Sequence, residues 1–224
     1  MLDQGSDALF DLFTSRGLPG PEGRVPVLCT GSNANPAQIH RKFLGLSGDS
    51  LVVFLQAELR GAQPVFAGHV ARYGAIPATI EKADVCVGSV LALLTPTQLL
   101  HLAKSEGGNY HLGLIRDIEV LPEFIEPVTE PYAFISRKGV LSIESGPIPL
   151  STSTQRDVLD VVMRRTELRN SLEDYLDGPI GLRDDLEQGI DSCGLRQTHT
   201  IRHTPVDIGQ LAATRRRQVG NDGL

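Results

Sequence analysis

Arg24-Val-Pro-Val-Leu-Cys-Thr-Gly-Ser-Asn-Ala-Asn-Pro36 reads as a strand, a tight turn and the opening of a helix, and the rest of the chain is organised around it. Val25, Val27 and Leu28 suit a strand. Pro26 belongs at its start or on an edge, because it has no N–H to give to a ladder. Gly31 admits a left-handed backbone at the turn. Asn35 followed by Pro36 makes an N-cap with proline in the first helical position, where the missing donor costs nothing. The helix should run to about Leu44. Free N–H groups in such a turn carry partial positive charge, so Gly31, Ser32 and Asn33 can cradle a carboxylate, a phosphate or an oxyanion. An ordinary strand-to-helix turn has the same composition, and the stretch alone does not separate the two.

Downstream, Val/Ile/Leu/Phe-rich runs bounded by turn residues predict strands over 51–59, 65–72, 86–94, 110–120, 132–136 and 140–144. Helices are expected over 7–16, from Thr95 to Glu106, from Thr152 to about Leu176, and over 182–190. Thr95 and Gln98 have the spacing of a capping box, with Pro96 at the first helical position. Thr152 and Gln155 repeat that spacing. In the centre of the chain, at least six strands against two or three helices give an α+β fold. Twenty-three glycines suit short strands that curl into a small closed or nearly closed mixed β-barrel with flanking helices and a C-terminal helical extension. The expected domains are an N-terminal arm (1–24), the barrel (25–150), the helical extension (151–196) and a loose polar tail (197–224).

Composition narrows the function. Of the 224 residues, 41% are hydrophobic, enough for a sizeable core. The net charge of −6 argues against a broad nucleic-acid face, and 5% aromatics leave little for base stacking. Three scattered cysteines, Cys29, Cys86 and Cys193, suit neither a disulfide scaffold nor a zinc ribbon, and fit a reducing compartment. With no leader-like start and no run of eighteen apolar residues, a soluble cytoplasmic protein without membrane contact is expected. Phosphate-loop, zincin, nucleophile-elbow and dinucleotide-binding motifs do not occur.

Glu106 is the other residue with chemical promise. It ends a helix just before Gly107-Gly108, where the negative end of the helix dipole disfavours a charged carboxylate. Stable helices carry Lys or Arg there. In an apolar setting such a carboxyl suits general acid/base work, whereas a solvated surface Glu beside Lys104 is the plainer alternative. The two features make a site only if the turn and the acid meet in space.

Thr30-Gly-Ser-Asn33, Gly74-Ala-Ile-Pro-Ala-Thr-Ile80 and Leu99-Leu-His-Leu-Ala-Lys-Ser-Glu-Gly107 followed by Tyr110 together resemble the gamma-glutamylcyclotransferase superfamily, over roughly residues 24–145. The resemblance implies a small β-barrel enzyme that releases 5-oxoproline from a γ-glutamyl amine or peptide, with no metal or other cofactor. It implies that Glu106 is the acid/base. Thr30, Gly31, Ser32, Asn33, Ala34, Gly74, Ala75 and Tyr110 would line the substrate pocket, the backbone N–H groups of Gly31 to Asn33 holding the glutamyl group. Two positions depart from the family pattern: Thr30 stands where an aromatic ring is usual, and Ala34 where a leucine is. The implied partner is a small molecule with a γ-glutamyl or similar acyl group, and the oligomeric state is open.

Other chemistry-bearing residues carry less. His199, His203 and Cys193 could ligate a metal, but Thr198, Thr200, Thr204 and Pro205 make their segment a poor helix. Cys29 has no histidine placed to activate it and reads as a small buried hydrophobe. His40 reads as surface, His111 could reach a pocket rim beside Tyr110, and Arg215 to Arg217 read as a solvated end. Two other function classes stay open. One is a binding module that captures a small carboxylate or acyl-amine without turnover. The other is an interaction protein whose long helix from Thr152 pairs with a partner.

Overall fold

The opening stretch folds as read: β1 (Val25–Cys29), a 3-10 turn over Gly31–Ala34, then α2 (Pro36–Phe43), with Gly31 at φ 52°. The computed structural model describes residues 3–48, 50–166 and 179–207, with only the backbone considered for 3–6 and 179–182. The remaining elements are α1 (Asp3–Thr14), β2 (Val53–Phe66), β3 (Ala78–Leu94), α3 (Pro96–Glu106), β4 (Tyr110–Ile115), β5 (Glu119–Pro122), β6 (Tyr132–Ser136), β7 (Val140–Ile143), β8 (Gly146–Pro147), α4 (Gln155–Arg165), α5 (Pro179–Ser192), β9 (Arg196–Gln197) and β10 (His203–Pro205). The fold is mixed α+β, with five α-helices among the described residues, one at each of the five places read as helical. One sheet has seven strands in the order β10-β4-β6-β1-β3-β2-β5, and a second has three, β8-β7-β9. The larger sheet begins at β10 and ends at β5, and no pairing that closes it into a barrel is found among the described residues.

Chain contacts divide the molecule into two interleaved units. The first holds the residues up to Ala62, Ala83–Ile135 and the stretch from Ile201; the second holds Gln63–Lys82 and Ser136–Thr200.

In the first unit β1 runs antiparallel to β3 (Val25 opposite Leu94) and parallel to β6 (Val27 opposite Tyr132). Pro26 therefore precedes the parallel pairing, and its missing donor is not needed there. Val27, Cys29, Ala92, Leu94, Leu112 and Phe134 from the sheet form one core with Ile39 and Phe43 of α2 and Leu99, Leu102 and Ala103 of α3. The expected capping box is present: the Gln98 N–H donates to Thr95 Oγ1 (3.2 Å) and the Thr95 N–H to Gln98 Oε1 (2.8 Å). The expected strand over 110–120 is broken, because Asp117 turns left-handed at φ 61°. The segment around His203, read as loose tail, is instead edge strand β10, antiparallel to β4. An edge strand buries few side chains and tolerates Pro205, so its composition looks like that of a tail.

Burial bears on Cys29. Its thiol is pushed up to about 12 by burial, against the smaller opposing effects of the Ala92 backbone hydrogen bond and the Lys42 charge. It therefore stays protonated at neutral pH, and nucleophilic reactivity needs the thiolate. In the native protein iodoacetamide should modify the exposed Cys86 and Cys193 and leave Cys29 untouched until denaturation, as peptide mass spectrometry will show.

In the second unit, Val158, Val162 and Met163 of α4 and Leu186 and Ile190 of α5 are buried with Phe66, Val70, Ile76, Leu141 and Leu195. Over the described residues the apolar side of the helix beyond Thr152 packs within its own unit. That helix starts later than expected: Thr154 is the N-cap, paired with Asp157. Gln155 is diverted, its Oε1 accepting from the Ile76 N–H (3.0 Å) and its Nε2 donating to the Ile76 carbonyl. The part of the expected helix over 167–176 lies outside the described residues, as does Arg215 to Arg217. Gly139, at φ 70°, lets β7 approach β9 so closely that a β-carbon would collide with the Gln197 carbonyl.

Two buried titratable groups mark this unit. Glu81, 2% exposed, accepts from His199 Nδ1 (3.0 Å), the Thr200 N–H (3.0 Å), the Thr200 hydroxyl and the Lys82 N–H (2.8 Å). His69, also 2% exposed, has Nδ1 3.3 Å from the Ser136 hydroxyl. Burial, reinforced by the charges of Arg196, Lys138 and Arg183, holds the His69 imidazole down from 6.5 to about 4. The unfolded chain then binds this proton before the folded one does. Stability from His69 is complete above pH 6.5 and is lost as pH falls towards 4, by about 3 kcal/mol. Urea midpoints measured across that range should fall for the native chain and flatten for His69→Gln.

Candidate active site

Three side chains from three positions converge in the first unit. Asn33, from the 3-10 turn after β1, donates from Nδ2 to Glu106 Oε1 at 3.2 Å. Lys42, in the last turn of α2, donates from Nζ to Asn33 Oδ1 at 2.7 Å and also contacts Glu106 Oε1. The turn and the acid, 73 residues apart in sequence, therefore meet. Lys42 and Glu106 have side chains only 19% and 15% exposed, so the pair is neither a surface contact nor sealed from small molecules. The plainer alternative, a solvated Glu106 beside Lys104, does not describe this arrangement.

Each member is placed by local chemistry. Asn35 caps α2, its Oδ1 accepting from the Ala37 N–H at 2.9 Å. That cap sets the helix phase that buries Ile39 and Phe43 and puts Lys42 on the flank of the buried side. The capping box at Thr95 does the same for α3, burying Leu99, Leu102 and Ala103 and leaving Glu106 at the helix end. His101 of α3 ties the two helices: its Nε2 lies 2.9 Å from the Lys42 carbonyl, and its ring packs edge-on against Phe43 with centroids 5.8 Å apart. Because the partner is a carbonyl, Nε2 carries the hydrogen.

Asn33 works through its side chain. Its backbone N–H is bound to the Thr30 carbonyl at 3.1 Å, which withdraws it from the donors expected to hold a substrate. Thr30 and Ala34 are half-buried, while Gly31 and Ser32 are exposed beside them. Tyr110 opens β4 four residues after Glu106 and packs against the core that α2 and α3 cover. Gly74 and Ala75 belong to the second unit, in a turn where the Gly74 N–H donates to Ala71 O (2.8 Å) and the Ala71 N–H to Ala75 O (2.7 Å).

Sequence reading missed Lys42 and His101. A lysine in the last turn of a helix is the ordinary complement to the helix dipole and attracts no notice. The available signal was spacing: Lys42 follows Ile39 by three and precedes Phe43 by one, at the margin of the packed stripe.

The remaining candidates are dispersed. His199 serves Glu81 and the Ser136 carbonyl (3.1 Å) in the second unit. His203 belongs to the first unit, its Nε2 2.7 Å from that of His111. Cys193 Sγ donates to the Arg165 carbonyl at 3.2 Å. His40 is exposed. Elsewhere in the first unit, a groove of about 580 Å3 is lined by Arg60, Arg116, Asp117, Glu119 and Glu130 among others. Its charges are paired, Arg60 with Glu119 (3.4 Å), Arg116 with Glu130 (3.6 Å) and Asp117 with Arg202 (2.9 Å). It offers no proton-transfer group set against a donor turn.

No helix among the described residues is long and apolar enough to cross a membrane. No protein-family model matches the chain, and no curated protein matches it. Among solved structures, an uncharacterized human protein is similar over 84% of this chain and 98% of its own, at 14% identity and a TM-score of 0.41. A structure described as gamma-glutamyl cyclotransferase is similar over 86% and 98%, at 14% identity and a TM-score of 0.40. A yeast gamma-glutamyl cyclotransferase described as specific to glutathione is similar over 75% and 98%, at 10% identity and a TM-score of 0.37.

Proposed function

We propose that this protein is a gamma-glutamylcyclotransferase-like enzyme, releasing 5-oxoproline from a γ-glutamyl amine or peptide with Glu106 as acid/base. The observation that supports this most directly is the Asn33–Lys42–Glu106 cluster, which sets a half-buried carboxylate against the Thr30–Ala34 turn. A γ-glutamyl substrate carries a protonated α-amine near neutral pH. Glu106 takes one proton from that ammonium, and the freed amine attacks the γ-carbonyl of the same molecule. A C–N bond forms in the five-membered ring, the tetrahedral intermediate collapses, and the bond to the leaving amine breaks. Glu106 returns the proton to that amine. The second proton, shed by the ring nitrogen as it becomes an amide, passes by the same carboxylate to the amine, which leaves as an ammonium. The carboxylate ends as it began and no water is consumed. Because both reacting groups lie on one molecule, the protein's task is to select the folded conformer and support the oxyanion. In this reading the turn supplies backbone donors from Gly31 and Ser32, with the Asn33 N–H excluded because Thr30 holds it. Thr30 and Ala34 leave more room at the turn than an aromatic ring and a leucine would.

The second reading is a binding protein on the same scaffold, favoured by Thr30 where the resembled family has a ring to wall the pocket. The two part on one experiment. A panel of γ-L-glutamyl amides is incubated with the protein, 5-oxoproline is followed by mass spectrometry, and binding is followed by calorimetry. Release of 5-oxoproline selects the enzyme, and saturable binding without release selects the binding protein.

A further inference from the structure

We propose that Lys42 is a positioning residue that fixes the Glu106 carboxylate through one oxygen, so that Oε2 is the atom that receives and returns the proton. The inference rests on the cyclotransferase reading and adds to it which oxygen works and what holds the other. Both contacts to the carboxylate, from Asn33 Nδ2 and from Lys42 Nζ, fall on Oε1. Among the described residues Oε2 makes no hydrogen bond. An ammonium and an amide on one oxygen restrict rotation of the carboxylate about its last bond, which presents the second oxygen in a fixed direction. A substrate ammonium is kept from Oε1 by the like charge of Lys42 and meets Oε2 instead.

The electrostatics explain why a cation stands there. Lys42 lies in the last turn of α2 and Glu106 ends α3, so two helix C-termini bring their partial negative charge to the cluster. Lys42 Nζ offsets both, and its other contact, Asn33 Oδ1 at 2.7 Å, turns the Asn33 amide so that its Nδ2 faces Glu106. The lysine is itself held from behind, because His101 grips its backbone carbonyl at 2.9 Å. His101 and Glu106 lie on the same helix, so α3 anchors the residue that orients its own terminal acid.

The test compares native protein, Lys42→Ala, Lys42→Arg and Glu106→Gln on γ-L-glutamyl amides with aliphatic and aromatic leaving amines, with His40→Ala as the control on the exposed side of α2. Lys42→Ala should lower kcat about 100-fold, the scale of a misplaced catalytic group, while KM changes less than about threefold. Added ethylammonium should restore at least tenfold of that loss in Lys42→Ala and nothing in Glu106→Gln. Lys42→Arg should recover most of kcat. A purely structural lysine would not give rescue by a small cation. If Lys42→Ala keeps native kcat, or loses activity only through KM, or is not rescued by ethylammonium, the inference falls, and the cyclotransferase reading stands provided Glu106→Gln is dead. A native protein that releases no 5-oxoproline overturns both.

Discussion

Glu106→Gln should reduce 5-oxoproline release by about 10²- to 10⁴-fold, the usual contribution of a positioned general acid/base. The amide is nearly the same shape, and its oxygen can still accept from Asn33 and Lys42. It cannot take a proton from the substrate ammonium. The native carboxylate and Lys42 are partly exposed, 15% and 19%. Removing one charge there should cost about 1 kcal/mol, lowering the melting temperature by roughly 2–4 °C for a chain of this size. The expected pattern is therefore a dead but folded protein that still binds γ-glutamyl amides by calorimetry. Native turnover in the variant would remove Glu106 from the chemistry. A collapse of the melting temperature would instead mark the cluster as mainly structural.

The largest stability effect is expected in the second unit. Glu81→Ala should cost about 3–5 kcal/mol, because it removes a buried acceptor and leaves several donors unsatisfied at about 1–3 kcal/mol each. Four donors converge on this carboxylate: His199 Nδ1, the Thr200 N–H and hydroxyl, and the Lys82 N–H. Truncation leaves all four facing an apolar gap. Urea denaturation gives the difference directly, and a change under 1 kcal/mol would show that the cluster contributes little. Glu81→Gln, which keeps the acceptor oxygen and loses the charge, should fall between. Burial alone would raise the Glu81 carboxyl, but the hydrogen bonds from His199, Thr200 and the Lys82 N–H outweigh it and hold the group below the usual 4.5. A group depressed in the folded state stabilises above its unfolded value and loses that contribution as pH falls through its folded one. Acid should therefore act on this unit in two steps. His69 weakens it first, between pH 6.5 and about 4, and Glu81 weakens it further below 4.5.

Local signals in the sequence translated directly where their physics is local. The Thr95–Gln98 capping box, the Asn35-Pro36 helix start, strand 132–136 and the left-handed Gly31 each involve atoms within a few residues. Signals that depend on distant partners misled. β2 runs unbroken through Gly61 and Pro64, and β3 starts eight residues earlier than the expected run at 86–94. Exposed positions such as Glu58, Arg60, Lys82 and Asp84 dilute the apolar pattern that announces a strand, and only pairing to neighbouring strands holds these segments extended. At Thr152 the spacing suited a cap, yet Gln155 was claimed by the Ile76 backbone, 79 residues away.

By itself the amino-acid sequence determined the strand–turn–helix that carries Asn33, the helix that ends at Glu106, and the burial of Cys29, because capping, turn conformation and apolar periodicity are short-range. Only the tertiary structure decided that Lys42 joins the acid to the turn, that His101 anchors that lysine, that β10 completes the sheet and that Glu81 is buried against His199. A side-chain hydrogen bond depends on distance and direction to within a fraction of an ångström. Helix packing on a shared sheet supplies that, and residue order does not.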